Sequence, residues 1–284
     1  MCFTPQDVVK LRQKTGCGMM DCKNALKHSS GNMEAAIDFL RERGHAVATK
    51  KAGRAANEGS TFAIAENGIG VIIEINSETD FGANSKVFQD FILACARIVI
   101  NAAPSNLEEL LDSKDDSGKS IKDLLSEKIL EIGENINIRR FARLTGLISS
   151  YVHAGGKIAV LVNFSGDISL NNDPDFISMS RDVAMHVAAS NPKYINIESV
   201  DSETLAREKK ILHEQIGNSG KPPAIIEKII SGKINKFYKE ICLLEQAFVK
   251  DPEITVSEYI NNFSKSHKTQ ISIVDFKRFE RMEK

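Results

Sequence analysis

A turn-forming segment carries the residues of this chain that are best suited to act on another molecule. The strand-like run Ile72–Asn76 leads into a polar turn that contains, in order, Thr79, Asp80, Phe81 and Gly82. Thr, Asp and Gly are typical of turns, whereas a Phe normally lies in the core. The local pattern alone therefore favours a Phe81 that begins the next helix and packs inward. The alternative is an exposed ring beside a carboxylate, available to enter another molecule.

Other residue combinations point less well to catalytic or metal chemistry. Gly16–Met19 looks like part of a phosphate-binding loop, but the third glycine and a preceding strand are both missing. The spacing of Cys17, Cys22, His28 and His45 differs from that of structural zinc sites. The sequence has no Gly-x-Ser-x-Gly nucleophile motif, and its histidines have no obvious catalytic partners. We therefore predict that the chain is not an enzyme and binds no cofactor and no metal.

The roles of four further residues are left open by their types and positions. His153 lies in a predicted hairpin turn, where a solvated surface group is the simplest interpretation. His186 lies inside a helix pattern and is interpreted as structural. Met19 and Met20 have no periodic apolar partner, so they either fill a core or form a soft, adaptable contact surface.

Length, charge and cysteine content limit the classes of function. At 284 residues the chain has room for one to three domains and a sizeable core. Its net charge of −1 argues against a protein that binds nucleic acid by general electrostatic attraction. No apolar run is long enough to span a bilayer, and the N-terminus lacks the pattern of a secretory signal. The five scattered cysteines indicate reduced thiols in a cytosol-like compartment.

The N-terminal segment shows the pattern of three short helices. Thr4–Asp7 combines a capping hydroxyl with a proline and an acid in the first turn, which predicts a helix start. Gly16 ends this helix, Asp21 begins a second, and a third ends at Gly44. The small and basic segment 48–56 that follows is the best candidate for a linker.

The middle of the chain contains an internal repeat. Residues 59–76 and 146–163 each read as strand, turn and strand, and an apolar helix pattern follows each hairpin. Phe88 and Phe176 mark equivalent positions of these two helices. Two copies of a β-β-α unit predict a duplicated α+β core, in which one face of each sheet is covered by its helix.

Several helix patterns lie outside this repeat. Two polar helix patterns, the second ending at residue 132, lie between the copies. Residues 200–215 and 225–237 read as charged amphipathic helices joined by a tight loop, which predicts a protruding antiparallel hairpin. Its thin apolar stripe, which includes Leu205, Ile211, Leu212 and Ile216, suits pairing of the two helices or contact with another subunit. A short helix over 255–263 precedes a final strand.

Five ordered motifs of this chain resemble those of the translation elongation factor Ts family. They are Leu11–Lys23, Thr79–Phe81, Ile132–Arg140, Ala184–Ala189 and Ser219–Pro222. The resemblance implies a small three-helix N-terminal domain similar to ubiquitin-associated (UBA) domains, the duplicated core and a helical hairpin used for dimerisation. The implied divisions are 1–46 (UBA-like domain), 47–57 (linker), 58–140 (first core subdomain), 141–198 (first part of the second core subdomain), 199–245 (helical hairpin) and 246–284 (completion of the second core subdomain and C-terminal strand).

The same resemblance implies a cytoplasmic guanine-nucleotide exchange factor that binds elongation factor Tu in its GDP-bound and nucleotide-free states. In the family, an Asp-Phe pair enters the G domain of the partner near its Mg²⁺ site, and this role falls on Thr79, Asp80, Phe81 and Gly82. The implied partner-binding residues are Arg12, Met19, Met20, Lys23, Ile132, Gly133, His153 and Val249. A homodimer through the hairpin is a further expectation, whereas direct contact with nucleic acid or membrane is not expected.

Two departures from the family pattern and one alternative function accompany the resemblance. The family loop usually reads Thr-Asp-Phe-Val, and a Gly82 in place of the valine is expected to make the loop more flexible. Some members carry a further C-terminal helix, and we expect its contact to be missing here. The alternative is a non-catalytic adaptor that binds a partner through the UBA-like domain.

Overall fold

The computed structural model describes residues 3–217 and 222–283 and shows helices together with antiparallel sheets, which confirms the predicted α+β class. The strands are β1 (Glu58–Glu66), β2 (Ile69–Ser77), β3 (Asn137–Thr145), β4 (Leu147–His153), β5 (Ile158–Ser165), β6 (Ala247–Phe248), β7 (Asp251–Thr255) and β8 (Ser272–Glu280). The α-helices are α1 (Pro5–Thr15), α2 (Met19–His28), α3 (Met33–Lys51), α4 (Asp80–Asn84), α5 (Lys86–Ala102), α6 (Leu107–Asp112), α7 (Ile121–Ile132), α8 (Pro174–Ser190), α9 (Ser202–Gly217), α10 (Pro223–Ile241) and α11 (Val256–Ser266). None of the helices in these two ranges combines the length and the apolar character needed to cross a membrane.

Two three-stranded sheets, ordered β1-β2-β3 and β4-β5-β8, form the centre of the molecule. Because side chains alternate along a strand, each sheet has one face available for a helix. Val71 and Ile73 of β2 share a buried cluster with Phe88 of α5. Val162 of β5 shares a second cluster with Phe176 of α8. The prediction that each sheet is covered on one face by its own helix is therefore confirmed.

The opposite faces of the two sheets pack against each other. The buried residues that meet there are Ala63, Ile72, Ile148, Ala159 and Leu161. The approach is close because small residues lie between the sheets. A Cβ atom at Gly70 would come within 2.5 Å of the Cγ2 atom of Ile148. The core is thus layered in the order helix, sheet, sheet, helix, which leaves the loops at the sheet ends free to carry function.

The turn between β4 and β5 fastens the second sheet to β1. The N–H and Oγ1 groups of Thr61 both donate to the carbonyl oxygen of Gly156, at 2.7 and 3.0 Å. Gly156 has a φ of +90°, and a Cβ atom there would overlap the Oγ atom of Ser60. A glycine is therefore required at this position for two reasons, the backbone conformation and the close approach of Ser60.

The structure extends the predicted repeat by one strand. β3 and β8 each pair antiparallel with the central strand of their sheet, and each pairing contains a register shift, at Arg139 and at Val274. The repeat unit is therefore β-β-α-β, and the predicted β-β-α unit is incomplete. The sequence pattern did not indicate β3 because this strand is mostly half-buried and carries Arg139, Arg140 and Arg143, which hide its alternation.

The N-terminal unit packs α1, α2 and α3 around a small apolar core. The predicted end of the third helix at Gly44 is wrong, because α3 continues to Lys51 and includes the first part of the expected linker. Gly44 lies against α7, where a Cβ atom would be 3.2 Å from the carbonyl oxygen of Ser126. This glycine therefore permits a close contact between helices and does not act as a stop. The second helix begins at Met19, ahead of the predicted Asp21.

The two helices of the predicted hairpin, α9 and α10, pack against each other through their apolar stripes. The buried residues of this contact are Leu212, Ile216, Ile230 and Ile234. Ile211, which the sequence placed in the stripe, is 38% exposed. The motif residues 219–221 lie outside the part of the chain that the structure describes. A protruding shape and a dimer formed through these helices stay predictions.

A buried carboxylate ties the C-terminal end of the chain to the first sheet. Glu74 of β2 is fully buried and accepts hydrogen bonds from the Nη1 atom of Arg139 at 2.9 Å and the Nε atom of Arg140 at 2.7 Å. The N–H group of Met282 donates to the same carboxylate at 2.9 Å. Burial alone would raise the pKa of Glu74, but these hydrogen bonds outweigh it, and the pKa is lowered.

Replacing Glu74 with Ala is expected to lower the free energy of unfolding by about 3 kcal/mol, because it leaves two arginines without their buried partner. Because the folded pKa lies below the reference value of 4.5, this contribution is complete above pH 4.5 and is lost as the pH falls through the folded pKa. Urea unfolding across this pH range measures the difference. Glu66→Ala, which removes an exposed carboxylate 3.9 Å from Arg97, is the control. A loss below about 1 kcal/mol at neutral pH would contradict the role given to Glu74.

A comparison of Gly156→Ala with Gly155→Ala tests the contact between the β4–β5 turn and β1. Both glycines have a positive φ, so each alanine bears a backbone strain of about 1 kcal/mol. Only the alanine at 156 also overlaps Ser60, since a Cβ atom at Gly155 meets nothing within 4 Å. We expect Gly156→Ala to lower the free energy of unfolding by about 2 kcal/mol more than Gly155→Ala. Equal losses in thermal or urea unfolding would show that the contact is weak.

Candidate partner-binding site

Phe81 points away from the protein. It is 85% exposed, the highest value among the large apolar side chains that the structure describes. Phe81 is the second residue of α4, a single helical turn whose inward side is formed by Gly82 and Ala83. The inward packing that the local pattern favoured is therefore wrong, although Phe81 does lie at the start of a helix, and the exposed ring that the family resemblance implied is confirmed. Exposure of the ring is the property that contact with a partner requires.

Hydrogen bonds within the turn hold the ring in a defined place. The hydroxyl oxygen of Thr79 accepts from the N–H group of Gly82 at 3.0 Å and so caps α4. The carboxylate of the exposed Asp80 accepts from the N–H group of Phe81 at 2.8 Å. The hydroxyl of Ser85 donates to the carbonyl oxygen of Gly82 at 2.7 Å. The turn thus presents a carboxylate and an aromatic ring on adjacent residues of a capped, hydrogen-bonded backbone.

Two carboxylates connect this turn to the segment that follows α7. Glu78 accepts from the N–H group of Asn135 at 2.7 Å and from Arg54 at 3.4 Å. The backbone donor of Asn135, together with the charge of Arg54, lowers the pKa of Glu78. Glu134 accepts from the N–H group of Thr79 at 3.0 Å and from its hydroxyl at 2.6 Å. Neither acid was among the predicted site residues. The position of Glu134 directly after the helix-ending Gly133, within a motif shared with the family, is the signal that could have indicated it.

Gly82 occupies a helical position that is enclosed by its neighbours. Both of its peptide groups are hydrogen-bonded, and a Cβ atom there would lie 2.5 Å from an oxygen of Glu134. We expected this glycine to make the loop more flexible, but its backbone groups are hydrogen-bonded and give no sign of a loose turn. The absence of a side chain instead makes room for the carboxylate of Glu134.

The expected N-terminal contact residues are all on the surface. Met19 is 42% exposed and Met20 is 62% exposed, so the alternative in which they fill a core is wrong. Arg12 on α1 and Lys23 on α2 are exposed as well. Flexible, polarisable methionine side chains at the start of α2 suit an adaptable contact with another protein.

Helix α7 connects the N-terminal unit with the turn that carries Phe81. A Cβ atom at Gly16, at the end of α1, would collide with the carboxylate of Glu131, so the two elements are in close contact. Ile132 and Gly133 end the helix, and Glu134 next to them bonds to Thr79. The structure therefore brings Ile132, which is half-buried, and Gly133, which is exposed, to the Asp80–Phe81 turn.

His153 stands at the end of β4 and is exposed. Its Nδ1 atom lies 3.0 Å from the hydroxyl oxygen of Tyr151, which limits its rotation. The turn that follows is the one fastened to Thr61 of β1, and α4 packs on the same strand. β1 therefore supports both the histidine of the second copy and the Phe81 turn of the first.

Val249 is presented by a buried histidine. The Nδ1 atom of His186 accepts from the N–H group of Val249 at 3.2 Å, and its Nε2 atom lies 2.9 Å from the Oε1 atom of Gln246. Burial lowers the pKa of His186, while the bond to Gln246 opposes that shift. The neutral ring therefore accepts at one nitrogen and donates at the other. The structural role predicted for His186 is confirmed, and the side chain of Val249 is 45% exposed.

The cysteines are unsuited to nucleophilic or metal chemistry. The four that the structure describes, Cys17, Cys22, Cys95 and Cys242, are free and buried. Burial raises the pKa of each thiol, to about 11 for Cys242, which disfavours the reactive thiolate. His28 stacks on Phe39, and His45 contacts Ser126 and Asp123, so the two histidines are engaged elsewhere. Cys2 lies outside the described ranges.

Among residues 3–217 and 222–283, one cluster, at the start of α8, has atoms close enough to share an ion: Asp173, Asp175 and His267. The Nε2 atom of His267 lies 3.1 Å from the carboxylate of Asp175, which is the main cause that raises the pKa of this histidine. Asp173 accepts from the first N–H groups of α8 and caps the helix. An ion pair and a helix cap account for these side chains, and we assign no metal to them.

Comparison with known proteins relates the chain as a whole to one protein family. The sequence model of the family described as Elongation factor TS matches residues 78–283, which is more than half of the chain. Elongation factor Ts of Trichlorobacter lovleyi is 46% identical over 287 aligned residues, which cover 98% of this chain and 92% of that protein. The protein of the same name from Clostridium perfringens (strain SM101) is 43% identical over 286 residues, which cover 99% of this chain and 93% of that protein. The one from Clostridioides difficile is 42% identical over 283 residues, which cover 98% of this chain and 92% of that protein. The chain belongs to the elongation factor Ts family.

Proposed function

We propose that this protein promotes release of GDP from elongation factor Tu by inserting Asp80 and Phe81 near the Mg²⁺ site of the partner's G domain. The observation that carries the proposal is the 85% exposure of Phe81 on a turn that is capped by Thr79. Membership in the elongation factor Ts family supports a role in translation elongation and a partnership with elongation factor Tu. No chemical bond is made or broken in this function, so it needs no nucleophile and no cofactor.

The physical basis of exchange is a difference in affinity between two states of the partner. If this protein binds nucleotide-free partner more tightly than GDP-bound partner, linkage requires that GDP and the protein weaken each other's binding by the same factor. A coupling of several thousand-fold corresponds to about 5 kcal/mol of differential binding. An aromatic residue at the centre of an interface contributes about 2–4 kcal/mol when judged by truncation. Phe81 can therefore supply a large part of the coupling, but not all of it.

Asp80 adds a second element to the same turn. Mg²⁺ prefers oxygen ligands and holds the phosphates of a bound nucleotide. A carboxylate brought close to that ion competes with the groups that hold it, and loss of the metal weakens the nucleotide. The bond from the N–H group of Phe81 to the Asp80 carboxylate keeps the two side chains in a fixed relation.

The remaining coupling falls to contacts away from this turn. Met19 and Met20 offer an apolar surface on the N-terminal unit, and His153 and Val249 offer exposed groups on the second copy. We include Arg12, Lys23, Ile132 and Gly133 in the same proposed interface. Several separate contacts on one rigid body allow the partner's G domain to be held in the geometry that disfavours GDP. We also propose that the protein is cytoplasmic and that it forms a homodimer through α9 and α10.

The adaptor alternative uses one part of this surface alone. The exposed Met19 and Met20 would then serve an N-terminal unit that captures a helical or ubiquitin-like partner. The two functions differ in a simple measurement, because an adaptor leaves the rate of GDP release from elongation factor Tu unchanged.

Phe81→Ala is expected to leave the stability of the protein unchanged, because the ring makes little contact with the fold. The same change should lower the apparent second-order rate constant of stimulated GDP release by about thirty-fold or more, as the loss of a central interface aromatic does. Release of labelled GDP from purified elongation factor Tu measures the rate. Val274→Ala, which truncates an apolar side chain of 53% exposure near the start of β8, is the matched control and should release GDP at the native rate. An unchanged rate with Phe81→Ala would exclude the ring as the wedge.

His153→Ala is expected to slow GDP release less than Phe81→Ala does. The imidazole is exposed and has one intramolecular partner, Tyr151, so its loss leaves the turn at Gly156 intact. Side-by-side titration of the two variants against labelled GDP release gives the ranking. A larger loss at His153 would reverse it and move the main contact from the first copy of the core to the second.

A further inference from the structure

We propose that Glu134 is a positioning residue for the turn formed by residues 79–84. Its carboxylate bonds to Thr79 and covers Gly82, and this contact, which we call the latch, holds Phe81 in place against the end of α7. The kinetic consequence of this inference rests on the proposed function. Its structural consequence does not, because the latch lies within the free protein.

Both oxygens of the Glu134 carboxylate are directed at one residue of the loop. Oε2 accepts from the N–H group of Thr79 at 3.0 Å, and Oε1 accepts from its hydroxyl at 2.6 Å. The hydroxyl of Thr79 also accepts from the N–H group of Gly82. Donation to a carboxylate leaves the hydroxyl lone pairs free for the amide, so the latch and the helix cap support each other.

The missing side chain of Gly82 makes this arrangement possible. A Cβ atom at Gly82 would lie 2.5 Å from one Glu134 oxygen and 2.7 Å from the other. The carboxylate therefore lies directly over the glycine and closes the turn from outside. Phe81 is held between these two contacts, because Thr79 before it and Gly82 after it both meet the Glu134 carboxylate.

The segment that carries Glu134 is itself tied to the N-terminal unit. The Nζ atom of Lys51, at the end of α3, donates to the carbonyl oxygen of Gly133. The side-chain amide of Asn135 donates to the carbonyl oxygen of Arg54 at 2.7 Å. Residues 133–135 thus join the end of α3 and the chain after it to the Phe81 turn. A partner that binds the N-terminal unit meets a ring whose position is already set, which lowers the ordering entropy lost on binding.

A first experiment measures the latch without any partner. Amide hydrogen exchange of residues 79–84 is compared in the native chain, Glu134→Ala and Glu134→Gln. We expect the Thr79 and Gly82 amides of Glu134→Ala to exchange about tenfold faster, equivalent to about 1.4 kcal/mol. Glu134→Gln retains one acceptor oxygen and should lie between the two. Glu127→Ala, which removes a carboxylate of α7 that pairs with Lys119, is the matched control and should leave these amides unchanged.

A second experiment connects the latch to exchange activity. In release of labelled GDP from elongation factor Tu, Glu134→Ala should raise the concentration of half-maximal stimulation about tenfold and leave the maximal rate close to native, because the ring is intact but less well placed. A purely structural role would instead lower both the thermal stability and the maximal rate of release. Unchanged hydrogen exchange in Glu134→Ala would overturn the latch even if release were slower. Failure of the native chain to stimulate release would overturn the proposed function and leave the exchange result valid.

Gly82→Ala provides an independent variant that keeps the carboxylate. Alanine favours a helix more than glycine does by about 1 kcal/mol, so propensity alone predicts a more ordered turn. The latch predicts the opposite, because the added Cβ atom displaces Glu134, and hydrogen exchange at Thr79 should rise as in Glu134→Ala. The double variant should exchange no faster than either single variant, since both remove the same contact. Additive effects, or slower exchange in Gly82→Ala, would contradict the latch.

Discussion

The close contact between the two sheets is the constraint on which the rest of the structure depends. Each sheet has one face on its own helix, so its other face must find an apolar partner, and the two copies satisfy each other. The contact admits only small residues at several points, as Gly70 against Ile148 and Gly156 against Ser60 show. It also encloses Glu74, whose arginine partners and bond to Met282 bring the C-terminal end of the chain to the first sheet. A duplicated unit has in this way become a single rigid body.

The packing of the two copies brings distant parts of the chain to the surface that we propose for partner binding. The Phe81 turn belongs to the first copy and His153 to the second, and β1 supports both. Helix α7 then connects the Phe81 turn to the N-terminal unit, through Gly16 at one end and Glu134 at the other. An exchange factor must favour one geometry of its partner over another, and a surface that does not adapt is suited to that task. Met20 is exposed and has the flexible side chain that suits an adaptable contact.

Sequence patterns predicted those parts of the fold whose signals are local. Both core hairpins were found because turn residues interrupt apolar strands, and the repeat was found because the following helices share their apolar spacing. β3 was not predicted because Arg139 and Arg140 interrupt its apolar pattern. These arginines pair with the buried carboxylate of Glu74, which is 65 residues away from Arg139 in sequence. Gly44 read as a helix stop because its contact with Ser126 is equally remote in sequence. Phe81 read as a core residue for the same reason: only the tertiary structure shows that Gly82 and Ala83 take the inward side of α4. Glu134 has a local signal in its position after a helix end, but its contact with Thr79, 55 residues away in sequence, is visible only in the tertiary structure.

The most direct test of the central claim is the rate at which labelled GDP leaves purified elongation factor Tu as this protein is added. We expect the rate to rise with concentration and to saturate. We also expect a higher Mg²⁺ concentration to oppose the stimulation, because the proposed insertion of the turn weakens the hold on the metal. A release rate equal to the intrinsic one at every concentration of this protein would show that it is not an exchange factor for elongation factor Tu.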